Sequence, residues 1–174
     1  CLSVEGVLDF ASTCNLEDVQ ALIERQIDYN YAIAEEGMRH SWGANIGSVL
    51  KEHYGVGIYS RARYMAAAGS DARMSGCEMP VIIVSGSGNQ GITASVPVVE
   101  YAKELNVSHD QMVRAVLLSD LLTIHLKTGI GRLSAYCGAV SAGCSAGAAI
   151  AYLHGGGDFS RAGGFCTVAD HARD

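Results

Sequence analysis

The sequence is poor in proline, in aromatic residues and in charge. Its 174 residues include 2 Pro, 7% aromatic and 17% charged residues, with a net charge of −6. No basic patch stands out, so a nucleic-acid partner is not expected. Because 49% of the residues are hydrophobic, intrinsic disorder is disfavoured, and residues 1–174 are long enough to form one compact domain with its own core.

The sequence also lacks a C-x-x-C pair, although it contains six cysteines. Their irregular spacing in an acidic chain argues against a secreted disulfide framework and predicts a reducing, cytoplasmic setting. The most apolar window, residues 135–153, is long enough to span a bilayer but consists mainly of Ala, Gly, Ser and Cys. We therefore expect a buried helix there and no membrane association.

Helical periodicity dominates the rest of the chain. Predicted helices cover residues 15 to the thirties, 43–53, 61–69, 92–105, 108–126 and 131–153. Ser108 and Gln111 form a capping-box pattern. Residues 80–84 are the one run that resembles a buried strand, although so short an apolar run also suits a helix. The prediction is a mainly α, single compact domain with a buried Gly/Ala-rich helix.

Glycine is the residue in excess, with 21 copies, or about 12% against an average of about 7%. Three of them form the pattern Gly86-x-Gly88-x-x-Gly91. A dinucleotide site is one interpretation, but it needs a second strand and an acidic residue at its end, and neither is evident. Close packing of two buried segments is a second interpretation. The third, an anion site made of backbone N–H groups with Ser85, Ser87 and Asn89, suits a substrate carboxylate.

Two further patterns leave alternatives open. Cys137 and Cys144 are two helical turns apart, or about 10 Å along the axis, so their spacing favours core packing over joint metal binding. Asp71 and Arg73 lie in a segment that is predicted to be a glycine-flanked turn. They suit either an ion pair that fixes the turn or a substrate contact.

Three segments together resemble a known family. They are Gly-Ser-Asp-Ala-Arg-Met at 69–74, Ser-Gly-Ser-Gly-Asn-Gln-Gly-Ile-Thr at 85–93 and Arg-Leu-Ser-Ala-Tyr-Cys at 132–137. In this order and separation they resemble the L-cysteine desulfidase group, which is related to the α chain of bacterial iron–sulfur L-serine dehydratases. The likeness covers about residues 15–157, and the glycine-asparagine segment is its most specific part.

The resemblance implies a mainly helical lyase that uses a [4Fe–4S] cluster held by three cysteines. Cys137 matches the first cluster ligand, whereas Cys144 matches none and stays a predicted packing residue. The other two ligands are expected in a Cys-Asp-Gly stretch outside this sequence, and Cys166 is not a safe substitute. The matching substrate-binding segment consists of Ser85, Gly86, Ser87, Gly88, Asn89, Gln90 and Gly91.

The functional hypothesis is therefore iron–sulfur-dependent β-elimination from a small amino acid, with L-cysteine as substrate and L-serine as the alternative. A non-catalytic, truncated helical module that binds a small anion is the alternative from another class. The expected partners are the amino-acid substrate and the N-terminal remainder of the enzyme, and a homodimer is left open. Gly86, Gly88 and Gly91 are expected to let the backbone approach a bound group. Gly138, Gly143 and Gly147 are expected to let their helix pack tightly.

Overall fold

The computed structural model describes residues 3–131 and 137–155. They form α1 (Val4–Thr13), a 3-10 turn (Leu16–Asp18), α2 (Gln20–Arg39), α3 (Ile46–Tyr54), α4 (Ile58–Met74), α5 (Gly88–Glu104), α6 (His109–Ile130) and α7 (Gly138–Leu153). This described part contains no strand, which confirms the mainly α prediction. None of its helices has the length and apolar character that crossing a membrane requires.

Helix α5 is the centre of the fold and contacts α2, α4, α6 and α7. It contributes to both apolar clusters of the core. The first cluster joins α1, α2, α5, α6 and α7 around residues such as Val99 and Leu118. The second joins α2, α4 and α5 around residues such as Ile33 and Ile92. Because α5 is covered on several sides, its sequence is apolar around most of its circumference.

The predicted strand at 80–84 is not a strand, nor is it a helix. Ile82 donates its N–H to Asn30 Oδ1 at 2.8 Å, and Asn30 Nδ2 donates to the Ile82 carbonyl at 3.0 Å. The fully buried amide of Asn30 thus replaces a neighbouring strand as hydrogen-bond partner. The segment has no regular secondary structure, and a side chain of α2 binds the backbone of its central residue. Periodicity along the segment cannot indicate this distant contact.

The predicted helices are present, but their first and last residues differ from the predicted ones. The Ser108 and Gln111 capping box is present at the start of α6, and this helix continues to Ile130, beyond the predicted end at 126. Helix α1 was not predicted. Helix α7 begins at Gly138 rather than at residue 131, and residues 132–136 of the predicted helix lie outside the described residues.

Helix α7 is buried on one face only. Ala142, Ala146 and Ala149 are in the core, whereas Gly143 and Cys144 are exposed. The prediction that Cys144 packs in the core is therefore wrong. The small residues of α7 serve the core on one side and leave an open surface on the other.

Candidate functional site

The glycine-asparagine segment lies at the start of α5. Ser87 is the N-cap, and its hydroxyl accepts a hydrogen bond from the backbone N–H of Gln90 at 3.3 Å. The helix begins at Gly88, whereas the sequence predicted residue 92, so residues 88–91 form its first turn rather than a loop. The amides of Gly88 and Asn89 have no acceptor among the described residues, as is usual in the first turn of a helix.

Ser85 and Gln90 bind each other. Gln90 is fully buried, and its Oε1 accepts a hydrogen bond from the Ser85 N–H at 3.0 Å. The Ser85 hydroxyl lies 3.2 Å from Gln90 Nε2. These contacts shape the approach to α5 before any ligand is bound. Both residues were predicted to bind substrate, and the structure gives their side chains a supporting contact within the segment.

The glycines of this segment make room for protein groups. A Cβ atom at Gly91 would overlap the carbonyl oxygen of Ile82, and one at Gly88 would overlap Nε of Arg73. A Cβ at Gly86 would lie 3.1 Å from Gln90 Oε1. Close packing of two segments, one of the interpretations of the glycine pattern, is therefore observed at Gly88 and Gly91, and the binding of a group to their backbone stays a prediction.

Arg73 lies across the first residue of α5. It sits in the last turn of α4, which continues through the segment that was predicted to be a turn. Its Nη1 donates to Asn89 Oδ1 at 3.1 Å. Asp71 does not pair with it and instead accepts a hydrogen bond from the N–H of Ile46, at the start of α3, at 2.6 Å. Of the two interpretations of this pair, the Asp71–Arg73 ion pair is therefore not found, and the substrate contact stays a prediction.

Cys137 is brought close to this site by α7. Helices α5 and α7 run in the same direction: Gly138 lies against the Gln90 side chain near their starts, and the rings of Tyr101 and His154 are 6.0 Å apart near their ends. Cys137 is the N-cap of α7, its side chain caps no backbone N–H, and it is exposed. The first turns of two helices and an exposed thiol therefore meet beside Gln90.

The electrostatics of this arrangement favour an anion. Each helix N-terminus carries about half a positive charge, and the half-buried Arg73 guanidinium adds a full one. No carboxylate among the described residues forms a salt bridge with Arg73. A cation beside a helix N-terminus is unfavourable unless both share an anionic partner. A carboxylate suits this place because it can bond to a guanidinium and to backbone N–H groups together.

The described residues do not by themselves fit an iron–sulfur cluster. No group of three His, Cys, Asp or Glu side chains in residues 3–131 and 137–155 could hold a metal ion. The described cysteines are Cys14, Cys77, Cys137 and Cys144. Cys137 precedes Gly138, which lies against Gln90 in the first turn of α5, and its role as a cluster ligand stays a prediction. Cys166 and residues 132–136, which precede Cys137 in the family-like segment, lie outside the described residues.

Asp120 is a buried residue of α6, and His125, farther along the same helix, is half-buried. Burial raises the pKa of Asp120 to about 7, against the opposing effect of a 2.9 Å hydrogen bond from Gln26. His125 Nδ1 is buried without a hydrogen-bond partner among the described residues. Neither group was singled out by the sequence analysis as a catalytic residue. Their burial follows from helix packing, which no local motif indicates.

A second charged cleft, of about 460 Å³, lies between α2, α4 and α5. Its charges neutralise one another. The buried Glu100 accepts hydrogen bonds from Arg61 Nε at 2.6 Å and Tyr31 OH at 2.8 Å, and Lys103 Nζ lies 3.3 Å from the Tyr31 ring centroid. Burial and the contact with Glu100 raise the pKa of Tyr31. We assign this cluster to pairing of the three helices.

Comparison with known proteins shows which family this sequence resembles. Residues 8–166 match the family described as serine dehydratase alpha chain. The chain is 60% identical over 156 residues to a UPF0597 protein of Desulfitobacterium hafniense and 55% identical over 157 residues to one of Lachnoclostridium phytofermentans. A UPF0597 protein of Fusobacterium nucleatum is 47% identical over 160 residues.

These matches cover 90%, 90% and 89% of this chain but 36%, 38% and 38% of the relatives. The chain thus spans less than two fifths of the length of the curated relatives it matches. No solved structure matches it. Because the family match includes nearly the whole described region, this protein belongs to the serine dehydratase alpha chain family.

Proposed function

We propose that this chain is part of a cytoplasmic lyase that removes the β-substituent of a small amino acid, with L-cysteine as the substrate and L-serine as the alternative. The observation that carries the proposal is the meeting of the α5 and α7 starts beside Gln90, with Arg73 and Cys137 at the same place. Membership of the serine dehydratase alpha chain family supports the reaction class. In the reaction, L-cysteine and water give pyruvate, ammonia and hydrogen sulfide.

In this proposal the substrate carboxylate binds at the start of α5. The free amides of Gly88 and Asn89 and the guanidinium of Arg73 are the donors. The Asn89 side chain orients Arg73, while Ser85, Ser87 and Gln90 hold the turn in shape. Gly86 and Gly91 serve by allowing close contacts with Gln90 and Ile82. Within this segment the backbone N–H groups bind the carboxylate, and the side chains support the backbone.

Cys137 supplies one thiolate in this proposal. The resemblance implies that a [4Fe–4S] cluster acts as a Lewis acid on the leaving group, with its remaining ligands outside the described residues. Since those residues provide a single suitable thiol, the steps assigned here to this chain are carboxylate binding and substrate orientation. The group that accepts the α-proton is not assigned.

The activity is tested by pyruvate release from L-cysteine and L-serine. The protein is expressed from the longest open reading frame that contains this sequence and is prepared without oxygen. We expect pyruvate and sulfide in equal amounts from L-cysteine. Pyruvate from L-serine alone would favour the alternative substrate. The absence of pyruvate from both would contradict the lyase proposal and favour the non-catalytic anion-binding module.

Cys137→Ser tests the metal proposal in the same preparation. We expect the variant to contain less iron and less acid-labile sulfide, because a hydroxyl is a poorer iron ligand than a thiolate. Cys144→Ser is the matched control, since Cys144 is also an exposed thiol of α7. Equal iron and sulfide contents in the wild type and Cys137→Ser would remove Cys137 from the site.

Arg73→Gln tests carboxylate binding. Loss of a charge-assisted hydrogen bond of about 1.5–3 kcal/mol is expected to weaken L-serine binding roughly 10- to 100-fold, measured by calorimetry. Arg25→Gln is the matched control, because Arg25 is an exposed arginine of α2 outside the proposed site. Binding of L-serinamide, which has no carboxylate, should be equally weak in the wild type and Arg73→Gln. An unchanged affinity for L-serine in Arg73→Gln would be incompatible with this role.

A further inference from the structure

A large groove lies between α4 and α7, and residues of α5, which packs against both helices, line it as well. Its volume is about 810 Å³. Small residues of α4 and α7 line its length, among them Ala62, Ala66, Gly143 and Gly147. Tyr59 stands at its edge with 75% of its surface exposed. The groove is separate from the anion site, which lies at the starts of α5 and α7.

Gly143 and Gly147, the glycines of this groove, have no close neighbour among the described residues that would require a glycine. At two other positions, a helical glycine marks a place where another helix comes close: a Cβ at Gly37 would overlap the Ala68 carbonyl, and one at Gly69 would lie 3.2 Å from Ala34 Cα. A Cβ at Gly147 would meet no atom within 4 Å, and one at Gly143 would reach only Thr93, at 4.0 Å. The prediction that these two glycines pack tightly is therefore wrong for the described residues. Glycine inside a helix lowers its stability, so an open surface does not account for them.

The groove contains no carboxylate among its described residues. Its lining includes Arg63 and His154 but no Asp or Glu, although the whole chain has a net charge of −6. Pro97, inside α5, has no N–H to donate to the Thr93 carbonyl, and both residues line the groove. An apolar surface with basic side chains at its edge is complementary to a helix that carries small apolar residues and a carboxylate.

We infer that this groove receives an α-helix from the part of the family protein that lies outside the matched region. The curated relatives have more than 60% of their length outside that region, because the matches cover 36–38% of them. The alpha-chain description of the family also implies a companion beta chain or domain. The bound helix places small residues on Gly143 and Gly147 and a carboxylate near Arg63. The inference depends on family membership and groove geometry, and it stands apart from the reaction.

Photo-crosslinking in the full-length Desulfitobacterium hafniense relative identifies the occupant. Benzoylphenylalanine is placed at the position aligned with Tyr59, where an exposed aromatic ring already stands at the edge of the groove. We expect mass spectrometry to find intramolecular crosslinks to residues outside the matched 156-residue region. Crosslinks to the matched region of a second copy would show a homodimer surface and overturn the inference. The absence of any crosslink would overturn it as well.

The substitution Gly147→Leu provides an independent measurement. In this chain it should leave the thermal midpoint unchanged or raise it, because the added side chain meets open space. Leucine at the aligned position of the full-length relative should lower the midpoint by several degrees, because it enters an occupied interface. Equal effects in the two proteins would contradict the inference. Enzymatic activity is not used as a readout, so failure of the lyase proposal leaves this test intact.

Discussion

Gly91→Ala is expected to destabilise the protein by roughly 3 kcal/mol, which lowers the thermal midpoint of a chain of this size by roughly 6–12 °C. The added Cβ would overlap the carbonyl oxygen of Ile82. Neither side can move away easily: Ile82 is held by two hydrogen bonds to the fully buried Asn30, and Gly91 lies in the first turn of the central helix. Thermal and urea unfolding, followed by circular dichroism, measure the loss.

Gly147→Ala is the control for that prediction. It is also a Gly→Ala change inside a helix, but no atom lies within 4 Å of the new Cβ. We expect the free energy of unfolding to rise by roughly 0.5–1 kcal/mol, because alanine favours the helix over glycine. If Gly91→Ala were as stable as the wild type, the contact between the start of α5 and residues 81–83 would be wrong, and the shape of the anion site with it.

Asp120→Asn is expected to remove a pH dependence of stability between about pH 4 and pH 7. Burial raises the pKa of Asp120 in the folded protein to about 7, from 3.8. As the pH rises through this window, the unfolded chain loses the proton and the folded protein keeps it. Stability contributed by the neutral carboxyl is therefore complete below pH 4 and is lost by pH 7, at about 1.4 kcal/mol per pH unit.

The difference between wild type and Asp120→Asn isolates this group from the other carboxyls. At pH 8 we expect the variant to be more stable by roughly 2–4 kcal/mol, since asparagine is neutral and can still accept the hydrogen bond from Gln26. The difference should shrink towards pH 5. Asp28→Asn, at an exposed position of α2, should follow the wild-type pH profile. Parallel pH profiles for wild type and Asp120→Asn would show that Asp120 is not buried as described.

Local patterns were sufficient where the controlling contacts are local. The capping box at Ser108 involves residues three positions apart, and it appears in the structure with both of its hydrogen bonds. The sequence also singled out the Gly-rich segment, because so many glycines in one place are unfavourable for a helix, and its role in substrate binding stays a prediction. The resemblance placed Cys137 near this segment, and the structure brings the two together through α7.

Predictions failed where a distant residue decides the outcome. The backbone N–H and carbonyl of Ile82, in the middle of residues 80–84, are bound by Asn30, which is 52 positions away. Arg73 is bound by Asn89 from another helix rather than by its neighbour Asp71. Cys144 was expected in the core, but its helix is covered on only one side. Each of these outcomes depends on which helix packs beside the residue.

The sequence by itself determined the helical class, the family resemblance and the importance of the glycine segment, because each of these depends on residue type and on spacing along the chain. Only the tertiary structure decided what each glycine is for. Arg73 and Ile82 occupy the space that a side chain at Gly88 and Gly91 would take, whereas Gly143 and Gly147 face an open groove. A glycine inside a helix permits a close approach, but whether a neighbour fills the space, and which one, is determined by how the rest of the chain folds around it.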